Sequence, residues 1–170
     1  VGLGKLDKWG ESENLSSLPE NMLPPNDSLV MGYHTRPAAL AANIGYEVVS
    51  CPTWHCYFDY SQKIQDDPHL YHRPDIRWCP LDAAFNYDPY ECVKEDARNR
   101  IVGVECCNWA GKTRNVTELE WKMWPRTFAF AEVAWRNEEP AKRDFTEFLE
   151  RAAVHRARLI REHVNCAPLK

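Results

Sequence analysis

Two short apolar runs, each followed by polar and aromatic residues, organise the first half of the chain. Ser28-Leu29-Val30-Met31 leads into Gly32-Tyr33-His34, and Tyr46 to Cys51 leads into Cys56-Tyr57-Phe58-Asp59-Tyr60. Apolar runs of this length, bounded by turn residues, predict strands. Between them Thr35 is suited to cap a helix, Pro37 to its first turn, Ala38 to Ala42 to its body and Gly45 to its end. The strand follows at once, so the three elements form a β-α-β unit whose strands run parallel. A third strand is predicted over Ile101 to Cys107, preceded by a short helix over Pro89 to Ala97. The stretch from Ser61 to Pro89, rich in Pro, Asp and Tyr and without periodicity, predicts a long loop.

After the third strand the period changes. Thr117-Glu118-Leu119-Glu120 has the spacing of a capping box and predicts a helix start. Trp121, Trp124, Phe128, Ala131 and Trp135 recur at three and four residues and predict one buried face, with Pro125 kinking or restarting the helix. Asp144 and Glu147 repeat the capping arrangement. Phe145, Phe148, Leu149, Ala152, Leu159 and Ile160 then continue as an amphipathic helix to about His163, roughly 30 Å long. Residues 1–28 are polar and turn-rich, with Pro19, Pro24, Pro25 and one cluster of note, Lys8-Trp9-Gly10-Glu11.

This rhythm is that of an α/β protein, and 170 residues that are 44% hydrophobic suffice for a single domain with its own core. In parallel α/β architectures ligands sit at the carboxyl ends of strands, which directs attention to the residues after each run. Seven Trp residues supply planes suited to sugar rings or other flat ligands, with core packing as the competing use of each. A net charge of −4 argues against nucleic acid, which requires a concentrated basic face. The seven cysteines are odd in number and show no metal-ligand spacing, so reduced thiols are expected. No apolar run is long enough to span a bilayer, and no targeting segment is visible. The chain opens on Val1 as an excised or processed segment would, which leaves a cytoplasmic and a secreted or periplasmic location both open. Sequons at Asn14, Asn26 and Asn115 matter only for a secreted chain.

Several segments taken together resemble the carboxyl-terminal half of the β-N-acetylhexosaminidases of glycoside hydrolase family 20. They are Val30-Met31-Gly32-Tyr33, Gly45 to Val49, Pro52-Thr53-Trp54-His55-Cys56-Tyr57-Phe58-Asp59-Tyr60, Val102-Gly103-Val104-Glu105 with Trp109, and Trp124-Pro125-Arg126 through Ala131-Glu132-Val133-Ala134-Trp135. The resemblance runs from about Lys5 to Ile160. It implies the carboxyl-terminal part of a (β/α)8 TIM barrel, about strands five to eight with their helices, plus a long terminal helix. It also implies hydrolysis of terminal β-linked N-acetylhexosamine in which the substrate's acetamido oxygen attacks the anomeric carbon, an exception to the two-carboxylate scheme. The implied partners are a β-N-acetylhexosaminide glycan and either the amino-terminal half of the barrel or a second copy at exposed strand edges. Neither a metal nor a cofactor is implied.

By the same resemblance Tyr57 donates its hydroxyl to the acetamido oxygen and so positions the nucleophile. Trp9 and Trp109 wall the acetamido pocket, Tyr33 at the end of the sixth strand binds substrate, and Asp59 accepts from hydroxyls on the O4/O6 side. The chain departs from the family pattern in three places. It has no Asp-Glu dipeptide, the pair that supplies the acetamido-orienting carboxylate and the general acid on the fourth strand; Gly111 stands where a Glu is usual; and Tyr33 stands where a Trp is expected. A non-catalytic sugar-binding or scaffold remnant of the same fold is the first alternative. A retaining pair made of Asp59 and Glu11, which would need their carboxyls ~5–5.5 Å apart, is the second. Of the remaining polar residues, Glu105 is expected to be bonded within its strand and His34 and His55 to be satisfied loop residues. Arg126 and Glu132 are expected to form a salt bridge, and Lys112 with Arg114 offers a minor route to sulfated or phosphorylated sugars.

Overall fold

The computed structural model describes residues 29–62, 78–109 and 113–169, which group into two compact units. The first comprises described residues 29–53 and 89–105, and the second 54–62, 78–88, 106–109 and 113–169.

The first unit is a three-stranded parallel sheet in the order β1 (Leu29–Gly32), β2 (Glu47–Ser50), β3 (Ile101–Val104), with α1 (Thr35–Asn43) joining β1 to β2. This is the β-α-β unit that the sequence predicts. Val30 pairs with Val48 and Val48 with Ile101. Val30 and Val48 meet Ala38, Ala41 and Ala42 of α1 together with Tyr46, and Val93 and Ile101 pack against that cluster. Gly32 lets the helix lie close, because a Cβ there would stand only 2.5 Å from the Ala38 Cβ. Gly45, at φ 103°, ends the helix in a conformation that side chains rarely adopt.

Two local expectations are corrected in this unit. Thr35 is the first helical residue rather than the cap; His34 holds the cap position and makes no capping side-chain bond. With Pro37 at the third helical position, one of the amides that a cap would bind does not exist. Over 89–97 there is no α-helix. Turns lead into a 3-10 helix at Glu95–Arg100. Cys92 is left-handed at φ 65°, its carbonyl accepts from Asn43 Nδ2 at 3.2 Å, and the Lys94 amide donates to Asn43 Oδ1 at 2.8 Å. Those bonds hold the backbone away from helical geometry.

The second unit is mainly helical. It contains most of the turn α2 (Thr53–Cys56), then α3 (Leu81–Phe85), α4 (Val116–Met123), α5 (Arg126–Arg136) and α6 (Phe145–Arg161). Its interior is aromatic. Phe85 meets Phe148 at 4.8 Å and Phe145 at 5.1 Å with the rings tilted, while Phe58 meets Phe130 edge-on at 6.0 Å. Arg143 Nη1 donates to the carbonyls of Phe85 and Tyr87, both at 2.7 Å, and so ties the segment before α6 to the end of α3. Asp144 caps α6 as its spacing predicts, accepting from Thr146 and Glu147 at 2.8 and 3.1 Å. The helix has 17 residues and is therefore ~25 Å long, shorter than expected.

More corrections fall here. The long loop predicted from Ser61 contains α3. The third strand stops at Val104, and Cys107 pairs separately with Tyr57 as an isolated parallel bridge. The helix after it is capped by Asn115, whose Oδ1 accepts from Glu118 at 2.9 Å, while the Glu118 carboxylate returns to the Arg114 amide at 2.9 Å. The box is thus set two residues earlier than Thr117. The helix does restart at Pro125, and the restart breaks the phase of the tryptophan stripe. Trp135 is 88% exposed, and the buried face of α5 is Arg126, Ala129, Phe130 and Val133. Arg126 and Glu132 are not a pair. Glu132 binds Arg151 and Arg136, while Arg126 points inward to carbonyls. All seven cysteines are free thiols, as expected.

Candidate functional site

The end of α2 and the segment after β3 contain the residues that the sequence singles out. Cys107 donates to the Cys56 carbonyl at 2.8 Å, and its own carbonyl accepts from Phe58 at 2.7 Å. These two bonds lay residues 56–58 alongside Cys107 in parallel, with Tyr57 opposite Cys107. In extended chain, residues two apart share a side, so this pairing turns Trp109 toward Tyr57. The rings meet edge to face with centroids 5.8 Å apart, and Tyr60 lies 5.6 Å from Tyr57. Such a contact fixes the tyrosine ring against the indole. Tyr57 is half-buried and Trp109 is 48% exposed, so both have surface to offer a ligand.

Asp59 is 3% exposed, in the turn that follows Tyr57. Beside this turn lies Cys79. Burial pushes its thiol up to about 11, with Arg126 opposing the shift and Asp82 and Asp59 adding to it, so the group remains a protonated thiol at neutral pH. Tyr33 belongs to the first unit. It follows β1, is half-buried, and its carbonyl accepts from both the amide and the hydroxyl of Thr53 at 3.0 Å. Trp9, Glu11, Gly111 and Lys112 lie outside the described residues.

The remaining polar candidates have structural work. His55 Nδ1 bonds the Ala83 carbonyl at 2.8 Å and the ring stacks on Tyr87 at 5.5 Å, in keeping with a satisfied histidine. Glu105 lies one residue beyond β3, exposed, with its amide donating to Ser50 at 3.1 Å. Arg114 pairs with Glu118 at 3.0 Å, which directs its guanidinium to the start of α4. Burial raises the Glu118 carboxyl, but the Arg114 amide and the Lys122 and Arg114 side chains outweigh it and hold it at about 2.

Sequence reasoning missed two residues at this site. Arg126, with no exposed surface, donates Nη2 to the Phe58 carbonyl at 2.7 Å, Nη1 to that of Cys79 at 2.8 Å and Nε to that of Lys122 at 2.8 Å. Its guanidinium lies over the Phe58 ring, 4.6 Å from the centroid. Asn108 Nδ2 reaches the same Phe58 carbonyl at 3.3 Å. The Trp124-Pro125-Arg126 triplet marks the place in the sequence, and nothing local names the acceptors.

The family model for "Glycosyl hydrolase family 20, catalytic domain" matches residues 5–138. A β-hexosaminidase of Vibrio furnissii is 28% identical over 111 residues, covering 62% of this chain and 17% of that protein. The β-hexosaminidase subunit beta of Sus scrofa is 33% identical over 72 residues, 42% of this chain and 13% of that protein. The crystal structure of a family 20 exo-β-N-acetylglucosaminidase from Vibrio harveyi in complex with N-acetylglucosamine superposes with a TM-score of 0.73 at 28% identity, covering 88% of this chain and 23% of that one. The chain thus spans less than a quarter of the length of these proteins. Parallel strands joined through helices, residues at strand ends and a family model that covers most of the sequence lead to one conclusion: the chain belongs to glycosyl hydrolase family 20 and has the α/β fold of its TIM-barrel catalytic domain.

Proposed function

We propose that this chain is the carboxyl-terminal part of a β-N-acetylhexosaminidase barrel, about strands five to eight with their helices, and that it supplies the sugar and acetamido pocket. The observation that carries the reading is the Tyr57–Trp109 contact, made between residues far apart in sequence by the Tyr57–Cys107 bridge. Tyr57 donates its hydroxyl to the acetamido carbonyl oxygen and keeps it aimed at the anomeric carbon, so the carbonyl acts as the internal nucleophile and an oxazoline forms with retention. Trp109, with Trp9, encloses the acetamido group. Tyr33 also binds the substrate, and Asp59 selects hydroxyls on the O4/O6 side. The general acid is absent from this chain, whose sequence has no Asp-Glu pair, so the leaving oxygen must be protonated by a residue of another segment or partner. Among the described residues the sheet has three strands, and its outer edges suit pairing with the amino-terminal half of such a barrel or with a second copy.

The test is a titration of the 170-residue chain with N-acetylglucosamine, followed by tryptophan fluorescence. Saturable binding in the millimolar range is expected, equivalent to ~4 kcal/mol, with no response to glucose, which lacks the acetamido group. Tyr57→Phe should weaken it ~3–10-fold, the worth of one hydrogen bond. No response at ~100 mM sugar overturns the reading. Because the Asp-Glu pair is missing, a non-catalytic sugar-binding remnant is the second reading. Hydrolysis of an aryl β-N-acetylglucosaminide by a longer polypeptide that carries this segment decides between the two.

A further inference from the structure

Phe58 is held by both of its backbone polar groups. Its amide donates to the Cys107 carbonyl at 2.7 Å, and its carbonyl accepts from Arg126 Nη2 at 2.7 Å and from Asn108 Nδ2 at 3.3 Å. Tyr57 immediately precedes this residue and Asp59 follows it, while Asn108 lies between Cys107 and Trp109. One carbonyl therefore joins the two chain segments that carry the pocket residues. The donors are themselves fixed. Thr113 Oγ1 donates to Asn108 Oδ1 at 3.0 Å, which orients the amide so that its NH2 faces Phe58. Arg126 is held by the carbonyls of Lys122 and Cys79 and by the face of the Phe58 ring. The Lys122 carbonyl is one of the acceptors left open at the end of α4, so the guanidinium links a helix terminus to the site.

We infer that Asn108 and Arg126 are positioning residues for the Tyr57–Trp109 pair: through the Phe58 carbonyl they fix the Phe58–Asp59 peptide, which with the Phe58 amide bound to Cys107 holds the Phe58 backbone and so the direction in which the adjoining Tyr57 ring leaves the chain. Arg126 supplies the rigid anchor. Its planar fork reaches carbonyls from three segments at once, which a lysine ammonium on a flexible stem does not reproduce. Asn108 sets the register between the two segments. Its bond is long, so its loss removes little stability while removing a side-chain link between the segments that carry Tyr57 and Trp109. The consequence for sugar binding rests on the function proposed above, whereas the geometry does not.

Two readouts keep the claims apart. 3-Fluorotyrosine placed at position 57 of the 170-residue chain reports the Trp109 ring through its 19F shift, and Trp109→Leu supplies the shift without that ring. Arg126→Lys is expected to unfold at lower temperature, so Asn108→Ala is the deciding variant. It should move the resonance most of the way to the Trp109→Leu position while its Tm stays within about 3 °C of the parent. N-acetylglucosamine should then bind at least about threefold more weakly. An unchanged resonance overturns the inference. So does a shift that arrives only with a larger fall in Tm, because that marks a structural role alone. If the parent chain binds no sugar, the proposed function fails, and the fluorine shift still decides the positioning role.

Discussion

Replacing Gly32 with Ala tests how closely α1 lies on β1. The new Cβ would stand 2.5 Å from the Ala38 Cβ and 3.3 Å from both Ala38 Cα and Val48 Cγ1. Carbon atoms pack best at about 3.5–4.0 Å, so the helix must withdraw by roughly 1 Å from a core in which Val48 has no exposed surface. Overpacking of this kind costs ~1–3 kcal/mol. Against it stands the smaller entropy of the unfolded alanine chain, worth ~0.4–1 kcal/mol, because Gly32 is not at positive φ and its backbone accepts a side chain. The clash wins, and a net loss of ~1–2 kcal/mol is expected. In a chain of this length that lowers Tm by about 2–8 °C. Urea unfolding followed by circular dichroism measures it, and a double-mutant cycle locates it. Ala38→Gly alone should cost ~1 kcal/mol of helix propensity, yet in the Gly32→Ala background it removes the offending atom and recovers ~1 kcal/mol or more. Strict additivity of the two changes, or a Gly32→Ala chain as stable as the parent, refutes the close-approach argument.

Three further outcomes are expected. Asp144→Ala removes the acceptor for two amides at the start of α6 and should lower stability by ~1 kcal/mol in the same urea assay, with Asp144→Ser retaining most of it. Glu118 has a carboxyl depressed to about 2, so its contribution is complete above the ordinary carboxylate range and is lost as pH falls through the interval from about 4.5 to about 2. Unfolding midpoints from pH 6 to 2 should therefore show a loss in that interval of ~1 kcal/mol, reduced by solvent screening, that is absent in Glu118→Gln. Of the seven thiols, exposed Cys92 should be alkylated first by iodoacetamide, while Cys79, fully buried and raised to about 11, should react only after denaturation; peptide mass mapping distinguishes them.

The parallel β-α-β unit was legible because its signals are local: two apolar runs, an alanine-rich helix and a glycine that ends it at positive φ. The cap at Asp144 was legible for the same reason. Caps at His34 and Asn115 were misplaced by one and two residues, since several neighbouring side chains could accept from the same amides and the turn outside the helix chooses among them. The helix α3 was missed because five residues are too few to display a period.

At the candidate site, the sequence alone was enough to mark Tyr57, Asp59 and Trp109 as residues that follow apolar runs, and their family resemblance pointed to the fold. Periodicity says which residues share a face; it does not say which face the rest of the chain covers. That is why Trp135 is exposed while Arg126, a charged residue in the same helix, has no exposed surface. Only the tertiary structure brings Arg126 to carbonyls 68 and 47 residues away, and only there does the pairing of Tyr57 with Cys107 set Trp109 against the tyrosine ring. Backbone carbonyls are the same in every residue, so no sequence pattern can identify them as partners; packing selects them by where it places them.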